Sequence, residues 1–469
     1  MTPMMIKKVV MRPLVIDNST ICATATAPGT GGIAVVRVSG PEANNILRKL
    51  CKFLPQHLES HRVYYGWLCA IDSGTSIDEV LVTYFEKGRS FTGEMTFEIS
   101  CHGSEIICEE ILRNLCLAGA RMAERGEFTF RSFMNGRIDL IQAESVLDLI
   151  ESSSSRAAQL ALRQLQGDVS KNLRSVLDRM TWILAHLEAN IDFASEDIEV
   201  ASENVLLEKA EELYIEIQKI VSTYQAGSVI RDGFQVALVG EPNVGKSSLL
   251  NGLIGEEKAI VTNVPGTTRD FVEAQISLDG IKVSLVDTAG LRLTDDPVEK
   301  IGVHRTIEKL QDVDLVLFVV DQSSGGSGIG PEFLDQIPWA KVIMVGNKAD
   351  LSRTRKSVGQ NPSIYIEVSG LTGMGLKELK DVLSSKVKEV TSSGLSNDST
   401  MLSNVRHYEG LIQTMNSLKE TKQLIKEGAS PDFVALELQS GLQAVHEILG
   451  ITYDDQVMDR VFKEFCLGK

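Results

Sequence analysis

Cysteine is the first thing this chain has little of in any usable arrangement. Its seven cysteines, at 22, 51, 69, 101, 108, 116 and 466, are odd in number and form no C-x-x-C pair. That argues against a disulfide framework or a zinc site and suits a reducing compartment. Long hydrophobic runs are missing too: no stretch approaches the roughly 20 residues of a membrane span. Lys7, Lys8 and Arg12 among apolar residues faintly imitate a signal peptide. Pro13 and Asp17 interrupt that run and no small-residue cleavage site follows, so the chain reads as cytoplasmic. Positive charge is also short, with 47 Lys and Arg against 63 Asp and Glu and a net charge of −16. Residues 1–137 are balanced, 15 against 14, so the rest of the chain carries the excess. An acidic total is unhelpful to non-specific nucleic-acid binding, which depends on neutralising phosphates. Any RNA needs a local basic patch or a partner protein. No internal repeat is present.

What remains is an ordinary globular composition, 43% hydrophobic and 23% charged, in a 469-residue chain long enough for two to four domains. Residues 20–38 read TICATATAPGTGGIAVVRV, two β-branched runs around a Pro-Gly-Thr-Gly-Gly turn. Alternating runs at 63–71, 78–85 and 95–101 and a helical segment at 104–118 make residues 1–137 an α+β domain. From Leu140 the period changes. Leu162, Leu165, Val169, Leu173, Val176, Met180, Ile183, Leu187 and Ile191 predict one long amphipathic helix. A second follows, with Leu206, Ala210, Leu213, Ile217, Ile220 and Tyr224 on one face.

At Phe234 a continuously apolar strand, QVALVG, opens an alternation of strands and helices that runs to about residue 390. Such alternation predicts a doubly wound, mainly parallel sheet. TSSGLSNDST (391–400) reads as a linker, and apolar residues return at helical spacing over 403–427 and 431–448. The predicted organisation is 138–232 as the first part of a helical domain, 233–390 as an inserted P-loop domain, and 391–469 as the second helical part.

GEPNVGKS (240–247) matches G-x-x-x-x-G-K-S between a strand and an apolar helical run, the context that the motif requires. Gly240 and Gly245 let the loop wrap phosphates, Lys246 reaches the β and γ oxygens, and the Ser247 hydroxyl binds Mg²⁺. DTAG (287–290) follows a strand; Asp287 would hold Mg²⁺ through water and the Gly290 N–H would meet the γ-phosphate. In NKAD (347–350), Asp350 can accept both guanine N–H donors, Asn347 braces the loop, and the Lys348 stem packs on the base. Adenine lacks those donors, and buried unpaired groups reject it. SGLTG (369–373) is a last base-contacting loop, and GTTRD (266–270) supplies a threonine for the Mg²⁺ shell. Together these indicate GTP and resemble the translation-factor-like GTPases. One position departs: where many small GTPases have a glutamine to orient water, Leu291 stands. Either hydrolysis is slow, or another carboxylate such as Glu299 and another cation serve. Arg292 could be an arginine finger but reads better as a solvated charge. The Asn243 amide could hold a monovalent cation beside the phosphates.

The G domain within helices, R-V-S-G (37–40), F-T-G-E (91–94) and the ending F-C-L-G-K resemble the MnmE (TrmE) family of tRNA modification GTPases over essentially the full length. The resemblance implies a homodimer through the N-terminal domains and G domains that meet in the GTP state with K⁺ bound. It places K⁺ at Asn243, Thr262, Val264 and Thr267, Mg²⁺ at Ser247 and Thr268, and the catalytic carboxylate at Glu299. The full GTP set becomes Asn243, Val244, Gly245, Lys246, Ser247 and Ser248; Thr262, Asn263, Val264, Pro265, Gly266, Thr267 and Thr268; Asp287, Thr288, Ala289 and Gly290; Asn347, Lys348, Ala349 and Asp350; and Ser369, Gly370 and Leu371. The N-terminal domain resembles a tetrahydrofolate-binding fold, with a formyl- or methylene-folate held by Arg37, Glu94, Arg137 and Lys469. Arg137 departs from a lysine associated with that position, and the two cations are not interchangeable at a fixed anion. The implied reaction adds a carboxymethylaminomethyl or aminomethyl group at C5 of the wobble uridine, with an FAD-dependent partner, MnmG (GidA). That partner could supply the basic tRNA surface.

Cys466 keeps three readings: a poor prenylation box, a buried apolar thiol, or a thiol placed near the folate, which the resemblance favours. Cys101-His102 reads as structural, because adjacent strand residues face opposite ways. A different class also stands, a ribosome-assembly switch like the Der and Era families. A basic RNA-binding module after the G domain would favour it, and here that region is acidic helix followed by C-L-G-K.

Overall fold

The computed structural model describes residues 17–192, 201–255, 272–287, 313–323, 338–351, 364–392, 400–466 and 468–469. They fall into two compact units, each discontinuous in sequence: 1–147 with 164–181 and 442–469, and 148–163 with 182–441.

In the first unit, β1 (Ile21–Thr24), β2 (Gly31–Ser39), α1 (Ala43–Leu50), β3 (Arg62–Cys69), β4 (Ser76–Phe85), β5 (Thr96–Gly103), α2 (Glu105–Ala118), β6 (Arg121–Met122) and α3 (Glu127–Met134) follow one another. The strands form one sheet in the order β3-β4-β5-β2-β1-β6, antiparallel except for the β1–β6 pair. Alternation decides which face is covered. Val36, Val38, Val80, Val82, Phe97 and Ile99 are buried against Ile46, Leu47 and Leu50 of α1 and Ile111 and Leu115 of α2. Each such side chain contributes about 1.5–3 kcal/mol by leaving water. The other face leaves Val63, Tyr65, Trp67 and Leu81 exposed, with Tyr65 directly opposite Leu81. The predicted strands and the helix at 104–118 are where the alternation put them.

Helices α4 (Leu140–Glu151), α5 (Ser155–Leu165) and α6 (Asp168–Asp192) come next. The single long helix predicted from Leu162 to Ile191 is two helices. Gly167 takes φ +89°, and the Gln142 amide donates to the Leu165 carbonyl at the break. A left-handed glycine stops a helix without a Cβ penalty, and apolar spacing alone does not register it. Leu162 consequently lies off the buried stripe, which starts at Val169 and continues through Leu173, Val176, Met180 and Ile183. The remaining helices are α7 (Glu203–Ser222), α8 (Tyr224–Asp232), α9 (Lys246–Ile254), α10 (Leu376–Ser392), α11 (Val405–Lys426), α12 (Pro431–Leu449) and α13 (Asp455–Lys463). Tyr224, placed by its spacing on the face of α7, instead opens α8 and stacks on Tyr408 at 4.3 Å. Within the first unit, Met458, Phe462 and Phe465 of the α13 region pack on Phe130, Phe133 and Leu140. This core brings Gly468 and Lys469 back to the N-terminal sheet, Gly468 against Thr24 of β1 and the Lys469 carbonyl onto the Phe128 N–H.

The second unit contains β7 (Phe234–Val239), β8 (Val272–Leu278), β9 (Ile281–Asp287), β10 (Leu315–Asp321), β11 (Val342–Asn347) and β12 (Tyr365–Glu367). Their order is β12-β11-β10-β7-β9-β8, parallel throughout except for the β8 edge. Both faces are covered, Val236, Leu238, Leu317 and Val319 on one and Ala237, Val239, Val316 and Phe318 on the other. That is why these strands read as unbroken apolar runs. The chain reverses its order on either side of β7, which sets the crevice beyond the strands' carboxyl ends. No helix among the described residues is long and apolar enough to cross a membrane.

Candidate functional site

The loop after β7 enters that crevice. Asn243 and Gly245 take φ +66° and +91°, and Gly245 is the N-cap of α9. A Cβ on Gly240 would lie 2.4 Å from the Val319 carbonyl oxygen, and one on Gly245 would lie 2.3 Å from Asn347 Nδ2. Only glycine fits either place. The Lys246 ammonium is buried and donates to the carbonyls of Gly240 (2.8 Å) and Glu241 (3.1 Å), inside the curve of the loop. Ser247 and Ser248 are exposed at the start of α9, where the helix end favours an anion.

Asn347 stitches the site together. Its Nδ2 donates to Val244 O (2.8 Å) and Gly245 O (3.2 Å), while its Oδ1 accepts from the Gly370 N–H (3.1 Å). The structure thereby brings the P-loop, residues 347–350 and residues 369–371 together as the motifs predicted. Ala349 N–H bonds to Val368 O, and Ser369 is buried with its Oγ accepting from Thr372 N–H. Asp350 and Leu371 are exposed. Lys348 Nζ lies 2.6 Å from Asp321 Oδ2. Burial opposes ionisation of Asp321, yet hydrogen bonds from Lys348 and Ser323 hold its carboxyl below the usual range. The backbone of Asp287 ends β9 in register with Leu238, beside the loop. Thr262, Asn263, Val264, Pro265, Gly266, Thr267, Thr268, Thr288, Ala289, Gly290, Leu291, Arg292 and Glu299 lie outside the described residues.

A second cluster stands in the first unit. Arg37 on β2 donates through Nε (3.0 Å) and Nη2 (2.7 Å) to Glu98 Oε1, and its guanidinium lies 5.8 Å and 5.6 Å from the Phe91 and Phe128 ring centres. Glu94 accepts from Ser39 Oγ (2.8 Å) and from Arg131 Nη1 (3.1 and 3.2 Å). Arg131 is itself buried and paired to Glu127 at 2.9 Å. Lys469 O accepts from the Phe128 N–H at 3.2 Å. The Lys469 amine is held below its ordinary value, by burial first and then by the Arg37 charge. Gly468, at φ +89°, lies so close to Thr24 that a Cβ would be 2.1 Å from its carbonyl oxygen. The Arg137 stem runs beside Gly93, next to Glu94, and Cys466 is exposed.

Glu98, Phe91, Phe128, Ser39, Arg131 and Asp321 are absent from the sequence-based set. Glu98 was recoverable from the alternation, since it faces Arg37 in the antiparallel register. Ser39 and Phe91 fall within the quoted R-V-S-G (37–40) and F-T-G-E (91–94) motifs; nothing local marks Phe128, Arg131 or Asp321. Cys101 is buried and His102 exposed, with His102 Nδ1 2.7 Å from Asp78 Oδ1, so the pair does face opposite ways.

Residues 140–466 match the family model of the MnmE helical domain, and residues 20–137 that of the GTP-binding protein TrmE N-terminus. The chain belongs to the MnmE family of tRNA modification GTPases. A tRNA modification GTPase MnmE of Bdellovibrio bacteriovorus is 46% identical over 97% of this chain and 98% of its own. That of Syntrophotalea carbinolica is 40% identical over 97% and 100%. With the cradle just described, membership makes this a GTP-hydrolysing enzyme.

Proposed function

We propose that this chain couples GTP hydrolysis to modification of the wobble uridine of certain tRNAs at C5, drawing on a folate one-carbon unit and working with an FAD-dependent MnmG-type partner. The added group is carboxymethylaminomethyl or aminomethyl. One observation carries the reading: Arg37 and Lys469, far apart in sequence, meet at one polar cluster lined by Phe91 and Phe128. Arg37 over the Phe91 and Phe128 rings, with a second cation at Lys469, suits an anionic, flat heterocyclic ligand. Arg37 and Lys469 would bind its charges, while Glu94, held by Ser39 and Arg131, would take ring N–H donors. Arg137, whose stem runs beside Gly93, would add a further cation. A bound folate would supply the one-carbon unit, and the exposed Cys466 thiol stands within the segment that reaches this cluster.

At the P-loop the glycine cradle and the buried Lys246 fit a nucleotide's phosphates. Ser247 and Thr268 would hold Mg²⁺, and Asn243, Thr262, Val264 and Thr267 would hold K⁺, ions that neutralise charge developing on the phosphates. Glu299 would orient the attacking water in place of Leu291. The exposed Val63, Tyr65, Trp67 and Leu81 suit the N-terminal face to a second copy of the chain. Residues Asn243–Ser248 and Asn347–Asp350, with Ser369–Leu371, are the proposed nucleotide contacts.

Mass spectrometry of tRNA nucleosides tests the whole. Cells lacking the gene should lose the modified wobble uridine, wild-type complementation should restore it, and Cys466→Ser should not. Unchanged nucleosides in the deletion would remove the tRNA assignment. In the purified chain, faster hydrolysis in K⁺ than in Na⁺ and slowing by Glu299→Ala with GTP binding retained test the ion and the carboxylate. Equal rates or lost binding would count against them.

A further inference from the structure

Lys348 stands in the middle of the proposed base-binding loop in an unfavourable conformation. Its φ is +61°, where Cβ crowds the carbonyl of an L residue. Its neighbours fix that geometry from both sides, Asn347 through the P-loop carbonyls and Ala349 through Val368 O. A lysine stem has many rotamers, and this one is held in a single place by Asp321, with Nζ 2.6 Å from Oδ2. Asp321 closes β10 directly opposite Asn347 in the register. Its side chain is 11% exposed. Its other oxygen is fixed by the Ser323 N–H (2.8 Å) and Oγ (2.6 Å). Both carboxylate oxygens are therefore engaged, and the two strands' ends hold the lysine stem in one position.

We infer that Asp321 is a positioning residue for guanine-nucleotide binding, pinning the Lys348 stem as a preformed surface on which the base packs. The inference rests on the assignment of residues 347–350 to the base. Its physical content is preorganisation: a stem already ordered loses little freedom when the nucleotide arrives. Releasing one rotamer-rich side chain weakens binding about threefold to tenfold.

The test is a double-mutant cycle on the full chain, with affinity read by titration of a fluorescent GDP analogue. Asp321→Asn removes the charge facing Lys348 while leaving an oxygen for Ser323. It should weaken GDP binding about threefold to tenfold. Lys348→Met should cost at least as much, and the double variant should bind no more weakly than Lys348→Met alone. Asp321→Glu, which keeps the charge, should lose less than Asp321→Asn. Unchanged affinity in Asp321→Asn, or the same loss repeated in the Lys348→Met background, would overturn the role of Asp321 while leaving the base assignment standing. Unchanged affinity in Lys348→Met would overturn the base assignment and the inference with it.

Discussion

Around the P-loop the shape of the site is set by main chain. Gly240 and Gly245 leave no room for a Cβ, Lys246 is tied to two carbonyls, and the Asn347 amide is tied to two more. Around Arg37 it is set by side chains from separated segments: Arg37 from β2, Glu98 from β5, Phe91 from a loop, Phe128 from α3, and Lys469 from far along the chain. A main-chain site must be written in consecutive residues, because glycines and the helix start have to follow one another. A side-chain site has no such obligation. The comparison teaches where each site is vulnerable: the first to a methyl group, the second to anything that moves an element.

The largest expected effect separates the two regions. Lys246→Ala removes the buried ammonium from the loop and should lower GTP hydrolysis by at least about 10²–10³-fold, the range for losing one transition-state hydrogen-bond donor. Affinity for the proposed folate, measured by calorimetry on the same variant, should stay within about twofold, as effects at sites with no shared partner add independently. If folate binding also collapsed, the two regions would be one cooperative site and the contrast would be wrong.

A smaller and converse effect comes from Gly468. Alanine there would meet the Thr24 carbonyl oxygen at 2.1 Å in a left-handed conformation. That conformation alone costs an L residue about 1–2 kcal/mol. Gly468→Ala should shift Lys469 away from Arg37 and weaken binding of the proposed folate roughly tenfold, with intrinsic GTP hydrolysis retained. Loss of hydrolysis with folate affinity intact would reverse the assignment of the two sites.

The same contrast governs what the sequence made legible. The parallel sheet, the P-loop and the loop proposed to hold the base came from local patterns: unbroken apolar strands, spaced glycines and N-K-x-D. Arg37, Glu94 and Lys469 were reached through family resemblance, since no spacing joins residue 37 to residue 469. Arg131 and Phe128 were not reached at all: burial of Arg131 in a charge network leaves no mark on periodicity, and Phe128 reads only as an apolar core residue. The break at Gly167 failed for a related reason. Apolar spacing was continuous across it, and only the sign of φ distinguishes a helix interior from its end.

The smallest predicted effect probes the electrostatics of the side-chain cluster. Lys469 has its affinity for a proton reduced by burial and by Arg37, while Glu98 acts the other way. Between that lowered value and the ordinary 10.5, the unfolded chain binds more protons than the folded one, so stability rises with pH. Below the lowered value the full penalty of carrying the charge is present. Lys469→Met removes the penalty at every pH. Its thermal stability should therefore exceed the wild type's slightly at neutral pH, by an amount that shrinks as pH approaches 10.5. Melting curves of both proteins across that window give the slope directly, and the slope is insensitive to a constant packing difference between lysine and methionine. A gap that widened with pH would mean that Glu98 outweighs burial and Arg37. The ammonium would then be satisfied without a ligand, and an anion beside it would gain nothing. A closing gap would mean that the cluster holds uncompensated positive charge, which an anionic ligand would offset.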